Sequence, residues 1–190
     1  GTALIIRNNR DKVKQSQTEW TTNEGKVFGT TYHITYHSAH DMHDSILVAL
    51  AQVDSSLSMF NPESQVAKIN SNETDVMNPQ LKHLLAQSLE ISQKTDGAFD
   101  VTVAPLVNAW GFGFKNADSV SQTQIDSIMQ FVGYDKVHIN GDKLEKEDPR
   151  TMLDFSAIAK GYGVDQAAEV LERNGITDYM VEIGGEMRLT

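Results

Sequence analysis

Val137-His138-Ile139-Asn140-Gly141-Asp142-Lys143-Leu144-Glu145-Lys146-Glu147 is the stretch on which the fold class turns. Two short β-prone runs flank Asn140-Gly141, a dipeptide that tolerates the positive φ of a type I′ turn, so the segment predicts a β-hairpin. A hairpin is antiparallel, and helical patterns stand on both sides of it. The chain is therefore expected to be α+β, a mixed sheet with packed helices, rather than a purely parallel α/β sheet.

Downstream, Met152 to Phe155 reads as a short buried strand and residues 158–173 as a helix stopped by Asn174-Gly175. Tyr179 to Ile183 reads as the last strand, with Gly184-Gly185 turning out of it. Upstream, residues 121–132 read as a helix with Ser121 and Gln124 as a capping box and Gly133 as its stop. Pro79 to Lys94 reads as another, with Asn78 at the N-cap, Pro79 at the first position and Gly97 near the end. Leu81, Leu84, Leu85, Ser88 and Ile91 form its inner face. Residues 39–57 carry Ile46, Leu47, Leu50, Val53 and Leu57 at helical spacing, and Ser38 ahead of Asp41 resembles a capping box. Residues 26–36 are β-branched and aromatic, which predicts one strand, and Gly29 within it signals close backbone approach. Residues 1–24 are expected to be a leader or edge segment, and 25–190 the folded domain.

The chain has 190 residues, of which 39% are hydrophobic, enough for a real core and against disorder. Its formal net charge is −10, which disfavours nucleic acid or an anionic membrane as partner, because phosphate affinity rests on Lys and Arg. Most of the acidic excess lies in the C-terminal half, for which metal binding is one explanation. The absence of cysteine excludes disulfides, thiolate metal sites and a Cys nucleophile. No apolar run approaches the ~18 residues of a membrane span. Gly1 in place of Met suggests an upstream targeting segment that is no longer present.

Four segments could carry chemistry. In Leu153-Asp154-Phe155-Ser156-Ala157-Ile158-Ala159-Lys160-Gly161 a carboxylate leaves a strand, small residues follow, and a helix opens with Lys and Gly. Free N–H groups, the helix dipole and Lys160 suit an anion, although the Walker spacing is absent and a plain βα turn with a solvated Lys is equally open. Gly97-Ala98-Phe99-Asp100, followed by Pro105, Trp110, Gly111 and Gly113, reads as backbone shaped around a flat ligand or as a Trp-capped core. Ser58-Met59-Phe60-Asn61-Pro62-Glu63-Ser64 presents Phe60 on a turn, where it could stack on a planar ring or join the core. His33, His37, His40 and His43 crowd together, but without HExxH spacing they read first as a polar helix entry. Asn72-Glu73-Thr74 matches a glycosylation sequon, a pattern common by chance.

Taken in order, these segments resemble the FAD:protein FMN transferases, the ApbE-type flavin transferases. Phe28-Gly29-Thr30-Thr31-Tyr32, the loop from Ser58 to Ser64 with Ile69-Asn70, the stretch Thr95 to Asp100 with Pro105 and Trp110 to Gly113, and Asp154 to Asp165 with Gly184-Gly185-Glu186 are similar to the family's blocks. The resemblance implies a Mg²⁺-dependent transfer of FMN from FAD to a threonine hydroxyl of a target protein, with release of AMP. It places FAD contacts at Phe28, Phe60, Ala98, Phe99, Asp100, Asp154 and Lys160. Asp154 and Lys160 would also serve the chemistry, and the carbonyl of Ala157 would bind Mg²⁺. Phe60 stands where many members carry Tyr, and Glu186 where Asp is commoner.

The resemblance further implies an exported bacterial protein, lipid-anchored on the periplasmic side of the inner membrane, acting on a subunit of a membrane redox complex. Family members are longer, so the sequence is expected to be the N-terminal portion of an enzyme, inactive by itself, with further Mg²⁺ ligands beyond Thr190. FAD hydrolysis to FMN and AMP, or a periplasmic flavin-binding module without chemistry, are the alternatives. The proton acceptor could be Asp154, Asp100 or a group outside the chain.

Overall fold

The structure, a computed structural model, describes residues 19–111 and 120–190. Residues 1–18, and with them most of the expected leader, lie outside the described residues, as do Phe112 and Gly113 of the Trp110 block.

A four-stranded sheet in the order β1 (Glu19–Val27), β2 (Thr30–Ser38), β5 (Tyr179–Ile183), β6 (Glu186–Leu189) is antiparallel at every pairing. Two further strands, β3 (Val137–Asn140) and β4 (Lys143–Lys146), pair as the hairpin that the sequence predicts. Helices α1 (His43–Leu57), α2 (Gln65–Asn70), α3 (Pro79–Lys94), α4 (Ala104–Ala109), α5 (Gln122–Met129) and α6 (Ala159–Arg173) complete the chain. The α+β class with packed helices is borne out.

One face of the sheet is apolar because period-two alternation puts Tyr32, Ile34 and Tyr36 beside Tyr179, Val181 and Ile183. These side chains pack on Ile46 and Leu50 of α1 and on Val164, Ala167, Ala168 and Leu171 of α6. Burying each large apolar side chain is worth about 1.5–3 kcal/mol, so this layer is a major part of the fold's stability. A second core joins Val53 and Leu57 of α1 to Val66 and Ile69 of α2 and Leu81 and Leu85 of α3, closed by Leu153 and Phe155. Phe28 packs against both cores.

Several local details differ from the sequence reading. The strand over 26–36 is two strands, folded back at Phe28-Gly29, where φ is 52° and 74°. Positive φ at both central residues is the I′ pattern, so Gly29 serves the turn; nothing lies within 4 Å of where its Cβ would be. In the β3–β4 hairpin, Asn140 pairs with Lys143, so the turn residues are Gly141-Asp142, and only Gly141 has positive φ, the II′ pattern. Helix α1 begins at His43 without a side-chain cap. Asp41 instead accepts the His43 N–H, and Ser38 accepts that of His40. Met152 contributes one bridge, to Val103, rather than a strand. Gly184-Gly185 connects β5 to β6, a strand the sequence reading passed over. On α3, the Asn78 cap and the Pro79 start are as expected, with Ser92 buried in place of Ile91.

Where β1 and β2 meet the start of α1, the buried Tyr36 hydroxyl lies 2.8 Å from both Asn23 Oδ1 and Asp41 Oδ1 and accepts the Met42 N–H at 2.7 Å. Burial pushes the Tyr36 phenol up to about 12, while the His43 N–H and the Tyr36 hydroxyl hold the Asp41 carboxyl low. Tyr36→Phe leaves the buried Asn23 oxygen and the half-buried Met42 N–H without this partner and should cost about 1–3 kcal/mol. Urea unfolding of the variant measures this, and an unchanged midpoint would show that the network contributes nothing.

Candidate functional site

Three segments that are distant in sequence form one cleft of about 400 Å³. The β1–β2 turn brings Phe28 and Gly29; the end of α1 and the following turn bring Asp54, Ser58, Met59 and Phe60; the start of α6 brings Ser156, Ala159 and Lys160. Phe28 is set by its left-handed turn and by Gly163, where a Cβ would come within 2.5 Å of the Phe28 ring. Phe60 is 74% exposed and also borders a neighbouring cleft with Met59, Pro62, Asn70 and Met152. Its turn is fixed from below. Ser64 donates to the Ser58 carbonyl at 2.7 Å and caps α2 by accepting the Ala67 N–H, and Asn61 donates to Asp54.

The opening of α6 is anchored on Asp154. Its N–H donates to Val101 O at 2.7 Å, and its Oδ1 accepts the Ser156 N–H at 2.7 Å. The N–H groups of Ile158 and Ala159 both turn back to Phe155 O. Among the described residues, the N–H groups of Lys160 and Gly161 meet no acceptor and the Ala157 carbonyl meets no donor. These are the orphan donors of a helix N-terminus, beside a lysine, and they suit an anion. The Lys160 ammonium lies 2.9 Å from Glu186 Oε1 and 3.5 Å from the Gly184 carbonyl. The hydrogen bond from Lys160 holds the Glu186 carboxyl below its usual range, although burial opposes it.

Ala98, Phe99 and Asp100 are not on the wall of this cleft; they occupy the segment to which Asp154 is bonded through Val101. Phe99 packs on the second core and Ala98 is exposed. Both Asp100 oxygens are occupied. Oδ1 accepts the Thr102 N–H and hydroxyl, each at 2.7 Å, and Oδ2 accepts the Tyr134 N–H at 2.9 Å. Thr102 Oγ1 in turn accepts the Gly133 N–H. Asp100 thus ties the segment before α4 to the loop after α5.

The described residues contain no group of three or more His, Asp or Glu side chains placed to hold a metal. The Ala157 carbonyl is one free oxygen donor, whereas Mg²⁺ takes near-octahedral oxygen coordination, so these residues do not by themselves make a Mg²⁺ site. The histidines are dispersed: His33 pairs with Glu182, and His43 Nε2 lies 2.6 Å from the Tyr32 hydroxyl. Lys146 borders a separate cleft of about 400 Å³, where burial pushes its ammonium down to about 8. It donates to Ile69 O and Asn72 Oδ1, closing the end of α2, and Asn72 also donates to Pro149 O.

Residues 28–190 match the model of the ApbE family. The chain belongs to that family. It is 36% identical to a protein of Haemophilus influenzae named FAD:protein FMN transferase, over 92% of this chain and 55% of that protein. A protein of Vibrio cholerae with the same name is also 36% identical, over 87% of this chain and 53% of its own length. The solved flavin transferase ApbE from Vibrio cholerae superposes with a TM-score of 0.86 at 34% identity, covering 91% of this chain and 60% of that one. The apo Pseudomonas stutzeri flavinyl transferase ApbE superposes at 0.84 with 31% identity, covering 91% and 61%. The chain spans about half the length of the curated relatives it matches.

Asp54, Ser156 and Glu186 were not singled out as site residues from sequence, and neither was the function of Asn70. Asn70 accepts the Leu153 N–H and donates to the Leu153 carbonyl, both at 2.8 Å in the interior. This joins the Phe60 turn and α2 to the strand-like run leading into Lys160. Asn70→Ala strands two buried backbone groups, and the expected loss is about 1–3 kcal/mol per group. Thermal unfolding is the check, and a wild-type midpoint would remove this bond pair from the account.

Proposed function

We propose that the full-length protein transfers FMN from FAD to a threonine hydroxyl of a protein acceptor and releases AMP. The observation that carries this reading is that Lys160 and the free N–H groups of the α6 start share one cleft with Phe28 and Phe60. Such a cleft offers aromatic faces to an isoalloxazine and positive charge to the pyrophosphate. Membership of the ApbE family and the names of the relatives support the same reading.

In this mechanism the threonine oxygen attacks the FMN-side phosphorus and the bond to AMP breaks. Lys160 and the α6 N–H groups stabilise charge on the phosphoryl oxygens, so the chain contributes positioning and electrostatics. Asp154 is the proton acceptor in this reading, because its second oxygen meets no donor among the described residues, whereas Asp100 has both oxygens engaged. Ala98 and Phe99 would contact FAD from outside this cleft, on the segment that Val101 joins to Asp154. Mg²⁺ dependence belongs to the same proposal: the ion would supply charge neutralisation at the pyrophosphate, with the Ala157 carbonyl as a ligand. The acceptor is a membrane redox-complex subunit, and the protein works lipid-anchored on the periplasmic side of the inner membrane. No helix among the described residues is long and apolar enough to cross a membrane.

Incubating the full-length protein with FAD, Mg²⁺ and a threonine-containing acceptor should give an FMN adduct by mass spectrometry and stoichiometric AMP. Free FMN with unmodified acceptor would identify a FAD pyrophosphatase instead, and intact FAD would contradict both. Residues 1–190 alone should leave the acceptor unmodified, since the described residues hold no complete metal site. Phe60→Ala should weaken FAD binding about 5- to 150-fold, the ~1–3 kcal/mol of aromatic stacking on a base. Lys160→Ala should lower stability by no more than about 1 kcal/mol, because its ion pair is partly exposed, while cutting transfer sharply. Unchanged transfer in that variant would remove Lys160 from the mechanism.

A further inference from the structure

Glu186 stands directly behind Lys160 and is unusually short of partners. Its Oε1 meets the Lys160 ammonium at 2.9 Å. Its Oε2 is shielded from water and meets no hydrogen-bond donor. Lys160 is therefore the only side-chain donor to this carboxylate among the described residues. The other charges around it come from β5 and β2. Glu182 repels it, and Glu182 is itself engaged by His33 Nδ1 at 2.9 Å and by the Gly185 N–H at 2.6 Å. A shielded carboxylate oxygen without a donor is costly, and Lys160 is the largest support of the ionised form of Glu186, with a smaller one from its own backbone N–H.

That lysine also lines the cleft, where the reading above gives it the pyrophosphate. One ammonium cannot serve both anions fully. We propose that Glu186 is a positioning residue that holds Lys160 at the cleft until the pyrophosphate arrives, and that it takes up a proton from solvent as Lys160 turns to the phosphates. The proposal rests on the assignment of Lys160 to the pyrophosphate. The sign follows from linkage. Without ligand, the Lys160 hydrogen bond keeps Glu186 ionised. With ligand, Glu186 loses that donor and gains a nearby dianion, both of which favour the protonated form. The carboxylate also competes with the phosphates for Lys160, so removing its charge should tighten binding.

The test is titration calorimetry of the full-length protein with FAD at about pH 6, where a raised carboxylate titrates, in buffers of different ionisation enthalpy. Wild-type protein should take up protons on binding FAD, and riboflavin, which lacks the phosphates, should cause no uptake. Glu186→Gln keeps the shape of the side chain; it should abolish the uptake and bind FAD about two- to fivefold more tightly, the scale of a partly exposed ion pair. Glu186→Asp should restore the uptake. Equal proton uptake in wild type and Glu186→Gln, or weaker FAD binding by a folded Glu186→Gln, would overturn the role of Glu186. Lys160→Ala separates the two layers. If it binds FAD as wild type does, the assignment of Lys160 fails as well; if it binds weakly while Glu186→Gln keeps the uptake, the role of Glu186 alone fails.

Discussion

The paired hydrogen bonds between the Asn70 amide and the Leu153 backbone are the constraint on which the candidate site depends. They span 83 residues of sequence and lie in the interior. A side-chain amide here does what a neighbouring strand would do, presenting one donor and one acceptor to an isolated extended residue. On one side of the lock is the turn that carries Phe60; on the other, Leu153 and Phe155 anchor the second core and lead into α6. Asp154 then bonds back to Val101, which brings the Ala98–Asp100 segment alongside. Loops are thereby held to one another by backbone-directed hydrogen bonds rather than by sheet pairing.

The two cores have different consequences for the cleft. The sheet core fixes α6 against β5, and with it the position of Lys160 relative to the Gly184-Gly185 turn and Glu186. The helical core fixes the end of α1 and therefore the start of the Phe60 turn. Phe28 belongs to both, so the tip of the β1–β2 hairpin is the point at which they are registered. Lys160 lies near the positive end of the α6 dipole, an unfavourable place for a cation. The Glu186 carboxylate offsets that in the structure described here.

Features whose signal is local were legible in the sequence. Asn78-Pro79 marks the start of α3, the Ser121–Gln124 capping box forms as read, and α6 begins and ends within a residue of the expected bounds. Three short elements were not seen, among them α4, which lies in the stretch read as backbone shaped around a ligand or a Trp-capped core. Helix α2 has six residues, too few for a period, and only the Ser64 cap announced it. Strand β6 follows a two-residue Gly-Gly link that is itself a hairpin signal. The family resemblance implied that Phe28, Phe60 and Lys160 share a function, and the structure places them around one cleft. The commitments of Asp100 to Tyr134 and of Glu186 to Lys160 could not be read, because each pairs residues from separate elements. The clustered histidines read as a polar helix entry, and His43 does open α1; His33, on the outer face of β2, and His43 meet different partners.

A crystal structure of the full-length protein with bound FAD tests the central claim most directly. The account predicts the isoalloxazine against Phe60 and Phe28, with the pyrophosphate within hydrogen-bond distance of the Lys160 ammonium and the N–H groups at the start of α6. A flavin seated elsewhere, as in the cleft beside Lys146, or a pyrophosphate with no contact to Lys160, would contradict it.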